Sequence, residues 1–255
     1  MAELEIDDIS VRFSGLVALN RVSFAIPRNE ITAVIGPNGA GKTTLINVIS
    51  GVVRPESGRV RLEGQDIVGR PVHQVSHLGI RRTFQMVRLF PGLTVLENMI
   101  VAQNSCLRGF DVLLNPLPFT RTGRRNRREI VQIAESFGLA DKMHLSASEL
   151  SYGDQRRVEM ARALAGKPKL VLFDEPAAGM NEAETEQLSR DIEQVRQQGV
   201  TVLLIEHDMT LVMAISSKIV VLDFGRKIAE GTPAQVRAHP DVISSYLGAV
   251  YEEEQ

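Results

Sequence analysis

The sequence predicts an α/β fold with a parallel central sheet, a small antiparallel β subdomain and an inserted helical subdomain. Buried strands are predicted at residues 31–35, 170–173 and 201–205, where short apolar runs are bounded by turns. These runs alternate with longer segments in which apolar residues recur at helical spacing. This alternation is typical of parallel strands that are joined by crossover helices.

Two of these helices have recognisable ends. One is predicted from about residue 153 to 165, before a Gly-Lys-Pro sequence that ends it. The other begins after Asn181, a residue that can cap a helix, and Glu184 follows three residues later in the spacing of a capping box. Gly199 is predicted to end this second helix.

Two regions depart from the α/β alternation. The first 30 residues and residues 57–66 alternate between polar and apolar side chains, which predicts an antiparallel sheet. Residues 90–150 contain no buried-strand run but are helical in period at 94–103 and 124–137. Within a single domain of residues 1–255, the predicted parts are an α/β core at 1–90 and 156–255 and a helical subdomain at about 91–155.

The composition favours a soluble, packed protein. Of its 255 residues, 44% are hydrophobic and 24% are charged, and the formal net charge of -2 argues against nucleic acid as a partner. No apolar run approaches the roughly 18 residues of a membrane-spanning helix, and the acidic N-terminus lacks the apolar core of a signal peptide. The single cysteine, Cys106, excludes an intramolecular disulfide. We therefore expect a cytoplasmic location.

A glycine-rich turn lies between the strand at 31–35 and a helix predicted at about 42–50. It fits the pattern G-x-x-x-x-G-K-[ST], in which backbone N–H groups wrap a phosphate at a helix N-terminus. Lys42 is expected to reach the β- and γ-phosphates and Thr43 to bind Mg²⁺. A structural turn with a solvated lysine is the alternative. The turn predicts a P-loop NTPase core of the RecA-like type, with phosphate-binding residues Gly36, Pro37, Asn38, Gly39, Ala40, Gly41, Lys42, Thr43 and Thr44.

The strand at 170–173 runs into two adjacent acids. Asp174 is assigned to Mg²⁺, because phosphate-loop enzymes hold the metal with an acid at a strand end. Glu175 points elsewhere and is assigned to the attacking water, which it would orient or deprotonate. Taken alone, the pair could equally be two exposed acids.

With these motifs in place, the chain resembles the nucleotide-binding subunits of ABC transporters over nearly its whole length. Further landmarks of that family occur in the expected order, namely Phe13 for adenine stacking, Gln85 of the glutamine loop, Ser151 and Gly153 of the signature loop, Asn181 in the D-loop and His207 as the switch histidine. Three residues depart from the family pattern: Tyr152 and Asp154 in the signature loop, and Asn181, where an aspartate is usual.

The resemblance implies ATP and Mg²⁺ as cofactors and catalytic roles for Lys42, Gln85, Glu175 and His207, with Gln85 also near the metal. It implies a head-to-tail dimer with a second ATPase subunit, because Ser151 and Gly153 would serve the γ-phosphate held by the other phosphate loop. It also implies polytopic permease subunits at the cytoplasmic face of the membrane and, indirectly, a solute-binding protein.

Within the family, the chain is most similar to the ATPases of branched-chain amino acid importers. The similarity lies in residues 82–90, 152–157, 206–209 and 246–248. Urea, amide and lipopolysaccharide systems are alternatives, as are a soluble ABC-type ATPase without a membrane partner and a binding switch without useful hydrolysis. The basic run at 121–128 has three interpretations: a solvated helix face, contact with anionic lipid, or contact with nucleic acid.

Overall fold

A computed structural model describes residues 2–83, 86–104 and 120–244. Gln85, Cys106 and residues 246–248 therefore lie outside the described residues. The strands are β1 (Ala2–Phe13), β2 (Leu16–Pro27), β3 (Ile31–Ile35), β4 (Ser57–Leu62), β5 (Gln65–Asp66), β6 (Ile80–Arg82), β7 (Leu170–Asp174), β8 (Thr201–Ile205), β9 (Lys218–Asp223) and β10 (Arg226–Gly231). The helices are α1 (Lys42–Ile49), α2 (Val72–His77), α3 (Val95–Asn104), α4 (Arg121–Ser136), α5 (Tyr152–Ala165), α6 (Glu182–Gln197), α7 (Met209–Ile215) and α8 (Pro233–Arg237).

The central sheet has the strand order β10-β9-β3-β8-β7-β6. All its neighbouring strands are parallel except the edge pair β9 and β10, which is an antiparallel hairpin. The predicted parallel strands at 31–35, 170–173 and 201–205 are confirmed. Neither β6 nor β10 was predicted, because both are edge strands with arginine or lysine where a buried strand would have apolar residues.

Both faces of the central sheet are buried, and alternate residues of each strand point to different layers. On β7, Val171 and Phe173 pack with helices α3 to α7. Leu170 and Leu172 face the opposite side, where α1 and the antiparallel sheet cover them. That second sheet has the order β2-β1-β4-β5 and confirms the antiparallel subdomain that the sequence predicts.

The segment between β6 and β7 is helical in the part of the chain that the structure describes. Its helices α3 and α4 agree with the predictions at 94–103 and 124–137 to within a few residues. Val95 of α3 and Ile130 of α4 share one hydrophobic core with the sheet residue Val171. The boundaries at about 91 and 155 remain a prediction. No helix among the described residues is long and apolar enough to cross a bilayer.

The capping box at the start of α6 is present as predicted. The Asn181 side chain accepts a hydrogen bond from the Glu184 backbone N–H at 3.0 Å, and the Glu184 carboxylate accepts one from the Asn181 N–H at 2.9 Å. Two backbone donors at the helix start are thereby satisfied, which fixes where the chain turns from β7 into α6.

Replacing Asn181 should lower the free energy of unfolding only where the new side chain cannot accept the capping hydrogen bond. Asn181→Ala is expected to lower the free energy of unfolding by about 1 kcal/mol, whereas Asn181→Asp should leave it nearly unchanged, because aspartate caps as well as asparagine. Urea denaturation of both variants checks this. Equal losses in the two variants would contradict the capping role.

Candidate functional site

The phosphate-loop motif forms the turn from β3 into α1, in the strand–turn–helix context that the pattern requires. Gly41 precedes the first helical residue with φ of 101°, and no side chain caps the helix start. The first turn of α1 therefore presents backbone N–H groups and the positive end of the helix dipole, which together favour an anion.

Two glycines of this turn press against neighbouring backbone. A Cβ on Gly36 would lie 2.1 Å from the carbonyl oxygen of Leu222 in β9. A Cβ on Gly41 would lie 2.6 Å from the carbonyl oxygen of Ala18 in β2. Both residues also have positive φ values, 154° and 101°. Any side chain at these two positions would displace the loop from the strands beside it.

Lys42 is buried inside the turn. Its Nζ donates hydrogen bonds to the carbonyl oxygens of Gly36 at 2.6 Å and Pro37 at 2.9 Å. Burial lowers the pKa of Lys42, and the charge of Glu175 opposes that shift. A cation held by neutral carbonyls in a partly desolvated turn gains strongly from an anionic ligand.

Asp174 at the end of β7 is connected to α1 through Arg82 of β6. The Arg82 guanidinium donates to Asp174 Oδ2 at 2.7 Å and to Asn47 Oδ1 at 2.7 Å. Thr43 precedes Asn47 by one helical turn and so lies on the same face of α1. Arg82 therefore links Asp174 to the face of α1 that carries Thr43. The sequence analysis did not identify Arg82 as part of the site.

Glu175 has a left-handed backbone with φ of 47°, which residues with a side chain rarely adopt. Its N–H donates to the Ile205 carbonyl at 2.9 Å, which ties the residue to the end of β8. Strained backbone of this kind concentrates at functional sites. The negative charge of Glu175 acts to raise the pKa of Lys42, against the larger effect of burial.

His207 follows β8 by two residues, and its side chain is 64% exposed. Its backbone N–H donates to Oε2 of Glu206 at 3.1 Å, and its Nδ1 lies 3.7 Å from the same oxygen. Glu206 is fully buried, and burial raises its pKa. The sequence analysis missed Glu206, although an acid directly after a buried strand was the signal that identified Asp174 and Glu175.

Ser151 and Gly153 lie at the start of α5. The Ser151 hydroxyl donates to Oδ2 of Asp154 at 2.8 Å and accepts from the Asp154 N–H at 3.2 Å. Asp154 also accepts from Lys142 and Arg157, each at 2.8 Å. Burial acts to raise the pKa of Asp154, but the hydrogen bonds from Lys142 and Ser151 and the charge of Arg157 outweigh it, and the pKa is lowered.

The predicted site residues fall into two groups. The phosphate loop, the acids after β7 and His207 meet at the carboxyl ends of three adjacent strands, β3, β7 and β8. Ser151 and Gly153 belong to the other group. A cavity of about 260 Å³ beside Gly153 is lined by residues of α5, α6 and the turn before α6, and by none of the phosphate loop.

Phe13 ends β1 and is 46% exposed. Its partner across the hairpin, Leu16, is also exposed, as is Val17. The next residue, Ala18, contacts the phosphate loop at Gly41. The hairpin end therefore places an exposed apolar patch beside the loop, where a nucleotide base could stack.

The basic run lies on α4, where Arg121, Arg124, Arg125, Arg127 and Arg128 are exposed. Arg125 also forms an ion pair with Glu129 at 3.7 Å. The three interpretations of this run stay predictions.

Next to α3 and α5, a cavity of about 240 Å³ opens beside β6. It is lined by Arg81, Arg82, Thr83, Phe90, Val101, Ala102, Glu159, Arg162 and Ala163.

Comparisons with known proteins agree with this arrangement. Residues 19–178 match the family model described as ABC transporter. The chain belongs to the ABC transporter ATP-binding family. It is an ABC-type ATPase, as the sequence motifs predict. Residues 226–252 also match the model described as branched-chain amino acid ATP-binding cassette transporter.

Relatives extend the match to nearly the whole chain. The high-affinity branched-chain amino acid transport ATP-binding protein BraF of Pseudomonas aeruginosa is 45% identical over 250 residues, which cover 96% of this chain and 97% of BraF. LivG of Escherichia coli K12, which carries the same description, is 44% identical over 248 residues, with 96% and 97% covered.

A solved structure supports the fold. The crystal structure of an ABC transporter ATP-binding cassette in its ADP conformation superposes with a TM-score of 0.84 and 32% identity, and covers 97% of this chain and 99% of the other. The fold class that the sequence predicts is thereby confirmed.

The close packing of Gly36 against β9 predicts that a side chain at this position disrupts the phosphate loop. Gly36→Ala should abolish nucleotide binding and lower the melting temperature, because its Cβ would overlap the Leu222 carbonyl at 2.1 Å. Gly64→Ala is the matched control: it has a positive φ of 81° but nothing within 4 Å of its Cβ, so it should cost only about 1 kcal/mol of backbone strain. Fluorescent-nucleotide titration and thermal melts check both. Normal nucleotide affinity in Gly36→Ala would refute the packing argument.

Proposed function

We propose that this chain binds and hydrolyses ATP to drive the import of branched-chain amino acids. The observation that carries the proposal is the match of the C-terminal residues 226–252 to the branched-chain amino acid cassette model. The relatives named above, which are similar over 96% of this chain, share that transport description. Urea, amide and lipopolysaccharide systems remain the alternatives that the import experiment below tests.

The division of the site supports a head-to-tail dimer as the active unit. The phosphate loop lies at the carboxyl end of the central sheet, whereas Ser151 begins a separate helix, α5, whose neighbouring cavity the loop does not line. The N-terminal end of α5 offers a second positive dipole to a γ-phosphate. A second subunit would complete each site, and ATP would lie between the two anion-binding surfaces.

The donor set of the proposed metal site fits Mg²⁺. Thr43 and Asp174 offer hard oxygen ligands, and Arg82 links Asp174 to Asn47, one helical turn after Thr43, which supports the proposal. Among residues 2–83, 86–104 and 120–244, no three acidic, histidine or cysteine side chains form a metal cage. This suits Mg²⁺, which in nucleotide sites takes most ligands from phosphate and water. When bound, the ion would supply charge neutralisation at the phosphates.

Three side chains carry the proposed chemistry. Lys42 exchanges its carbonyl partners for phosphate oxygens and stabilises charge on the transferring phosphoryl group. Glu175 orients the attacking water and accepts its proton. His207, exposed at the end of β8, reaches the γ-phosphate and holds the closed arrangement. Phe13 supplies the face on which adenine stacks.

The cavity lined by β6, α3 and α5 is proposed to receive a segment of the polytopic permease subunits. It combines apolar side chains such as Phe90 and Val101 with the charged groups of Arg162 and Glu159. Gln85, which lies outside the described residues, follows β6 by three positions and would relay the state of the nucleotide to this groove. The chain would then sit peripherally on the cytoplasmic face of the membrane, and a solute-binding protein would deliver the substrate.

The assignment of Glu175 is tested by Glu175→Gln. This variant should bind ATP and dimerise, but its hydrolysis rate should fall by about 10²–10⁴, because the amide cannot accept a proton from water. Glu186→Gln, which changes an exposed acid on α6, is the control. The measurements are phosphate release and size-exclusion chromatography with ATP. Turnover at the wild-type rate would remove Glu175 from the role of base.

The transported solute is tested in cells. In a strain from which the other branched-chain amino acid importers have been deleted, Lys42→Ala should abolish uptake of labelled leucine, isoleucine and valine and leave arginine uptake unchanged. The protein should also co-purify with polytopic subunits in detergent. Uptake of leucine that is unaffected, with loss of urea, amide or lipopolysaccharide transport instead, would select one of the alternatives.

A further inference from the structure

A fully buried carboxylate, Glu206, lies between β8 and His207. Isolated carboxylates are expensive to bury, so they persist where hydrogen bonds hold them. Burial raises the pKa of Glu206, and backbone N–H groups of Ala177, His207 and Asp208 act in the opposite direction. The contacts of the two carboxylate oxygens show what this buried acid does.

The two oxygens bind different segments of the chain. Oε1 accepts from the Ala177 N–H at 2.7 Å. Oε2 accepts from the His207 N–H at 3.1 Å and faces the Asp208 N–H at 3.5 Å. Ala177 lies two residues after Glu175, in the turn that leads from β7 to α6. A single rigid side chain therefore joins the backbone that carries Glu175 to the backbone that carries His207.

Other hydrogen bonds hold the chain on both sides of His207. Before it, the Glu175 N–H donates to the Ile205 carbonyl at 2.9 Å, which ties the ends of β7 and β8 together. After it, the Asp208 side chain caps α7 through the Thr210 N–H at 2.8 Å. Between these two anchors, the His207 backbone N–H donates to the Glu206 carboxylate.

We propose that Glu206 is a positioning residue that holds the switch His207 in register with Glu175 during ATP hydrolysis. The proposal rests on the function proposed above, in which His207 reaches the γ-phosphate. Glu206 touches neither nucleotide nor water in this scheme and acts only through the backbone of the two segments that it joins.

The Glu206→Gln variant should keep the contact of this side chain with Ala177 and break its contact with His207. The amide oxygen can keep the short bond from Ala177, and the amide nitrogen then faces the N–H groups of His207 and Asp208, donor against donor. Because a misplacement of about 1 Å in a catalytic group can cost 10²-fold, kcat should fall about 10- to 100-fold. The KM for ATP should change less than about twofold, since the phosphate loop is untouched.

A double-mutant cycle with His207→Ala is the decisive measurement. Rates of single-turnover hydrolysis are compared for wild type, Glu206→Gln, His207→Ala and the double variant. If Glu206 acts through His207, the double variant matches His207→Ala within about twofold. If Glu206→Gln reduces the rate by the same factor in both backgrounds, or reduces only the affinity for ATP, the proposal is wrong.

Two controls distinguish a folding defect from the loss of the positioning role of Glu206. Glu3→Gln alters another buried acid, which pairs with Arg28 at 2.8 Å in the antiparallel sheet, and should affect melting but not kcat. Melting temperatures and ATP affinity show whether Glu206→Gln is folded; if it is not, Glu206→Asp enters the same cycle, with the same outcomes. A wild-type rate in His207→Ala would overturn the role of His207 in the proposed function, whereas a wild-type rate in folded Glu206→Gln alone would overturn only the role of Glu206.

Discussion

The site depends on the adjacency of β3, β8 and β7 in one parallel sheet. Their carboxyl ends share an edge, so the residues that follow each strand become neighbours although they lie far apart along the chain. Gly36 follows β3, Glu175 follows β7, and Glu206 follows β8. Hydrogen bonds across these ends, such as that from Glu175 to Ile205, make the edge a single rigid unit. The hydrophobic layers on both faces of the sheet preserve this register.

The sequence predicted those parts of this edge whose residues lie close together along the chain. The phosphate loop, the acids after β7 and the Asn181 capping box each lie within a short segment whose spacing carries the physical reason for it. Arg82 was missed because its partners lie far along the chain, and Glu206, although it directly follows a buried strand, has a partner that the sequence does not indicate. Arg82 contacts Asn47 and Asp174, and Glu206 contacts Ala177, pairings that only the folded sheet creates.

The signature loop shows how a departure from the family pattern can be accommodated. Asp154 adds a negative charge beside Ser151, which would oppose an incoming phosphate. Lys142 and Arg157 each contact that carboxylate at 2.8 Å, so the charge is balanced within the chain. The sequence analysis identified Asp154 as a departure from the family pattern. It did not predict the contact with Lys142, because Lys142 lies outside the motif. The Asp154 carboxylate also accepts a hydrogen bond from the Ser151 hydroxyl. A γ-phosphate that binds Ser151 would have to take the place of this acceptor.

The packing of Gly36 and Gly41 gives these two residues of the phosphate-loop motif a structural role that does not depend on a ligand. Both glycines fit against carbonyl groups of β9 and β2, and these contacts exist in the folded chain whatever ligand it binds. A variant without catalytic activity would still need a glycine at both positions to keep the loop against these strands. The two glycines are therefore a requirement of the packing, whereas the side chains of Lys42 and Thr43 are the ones assigned to the nucleotide.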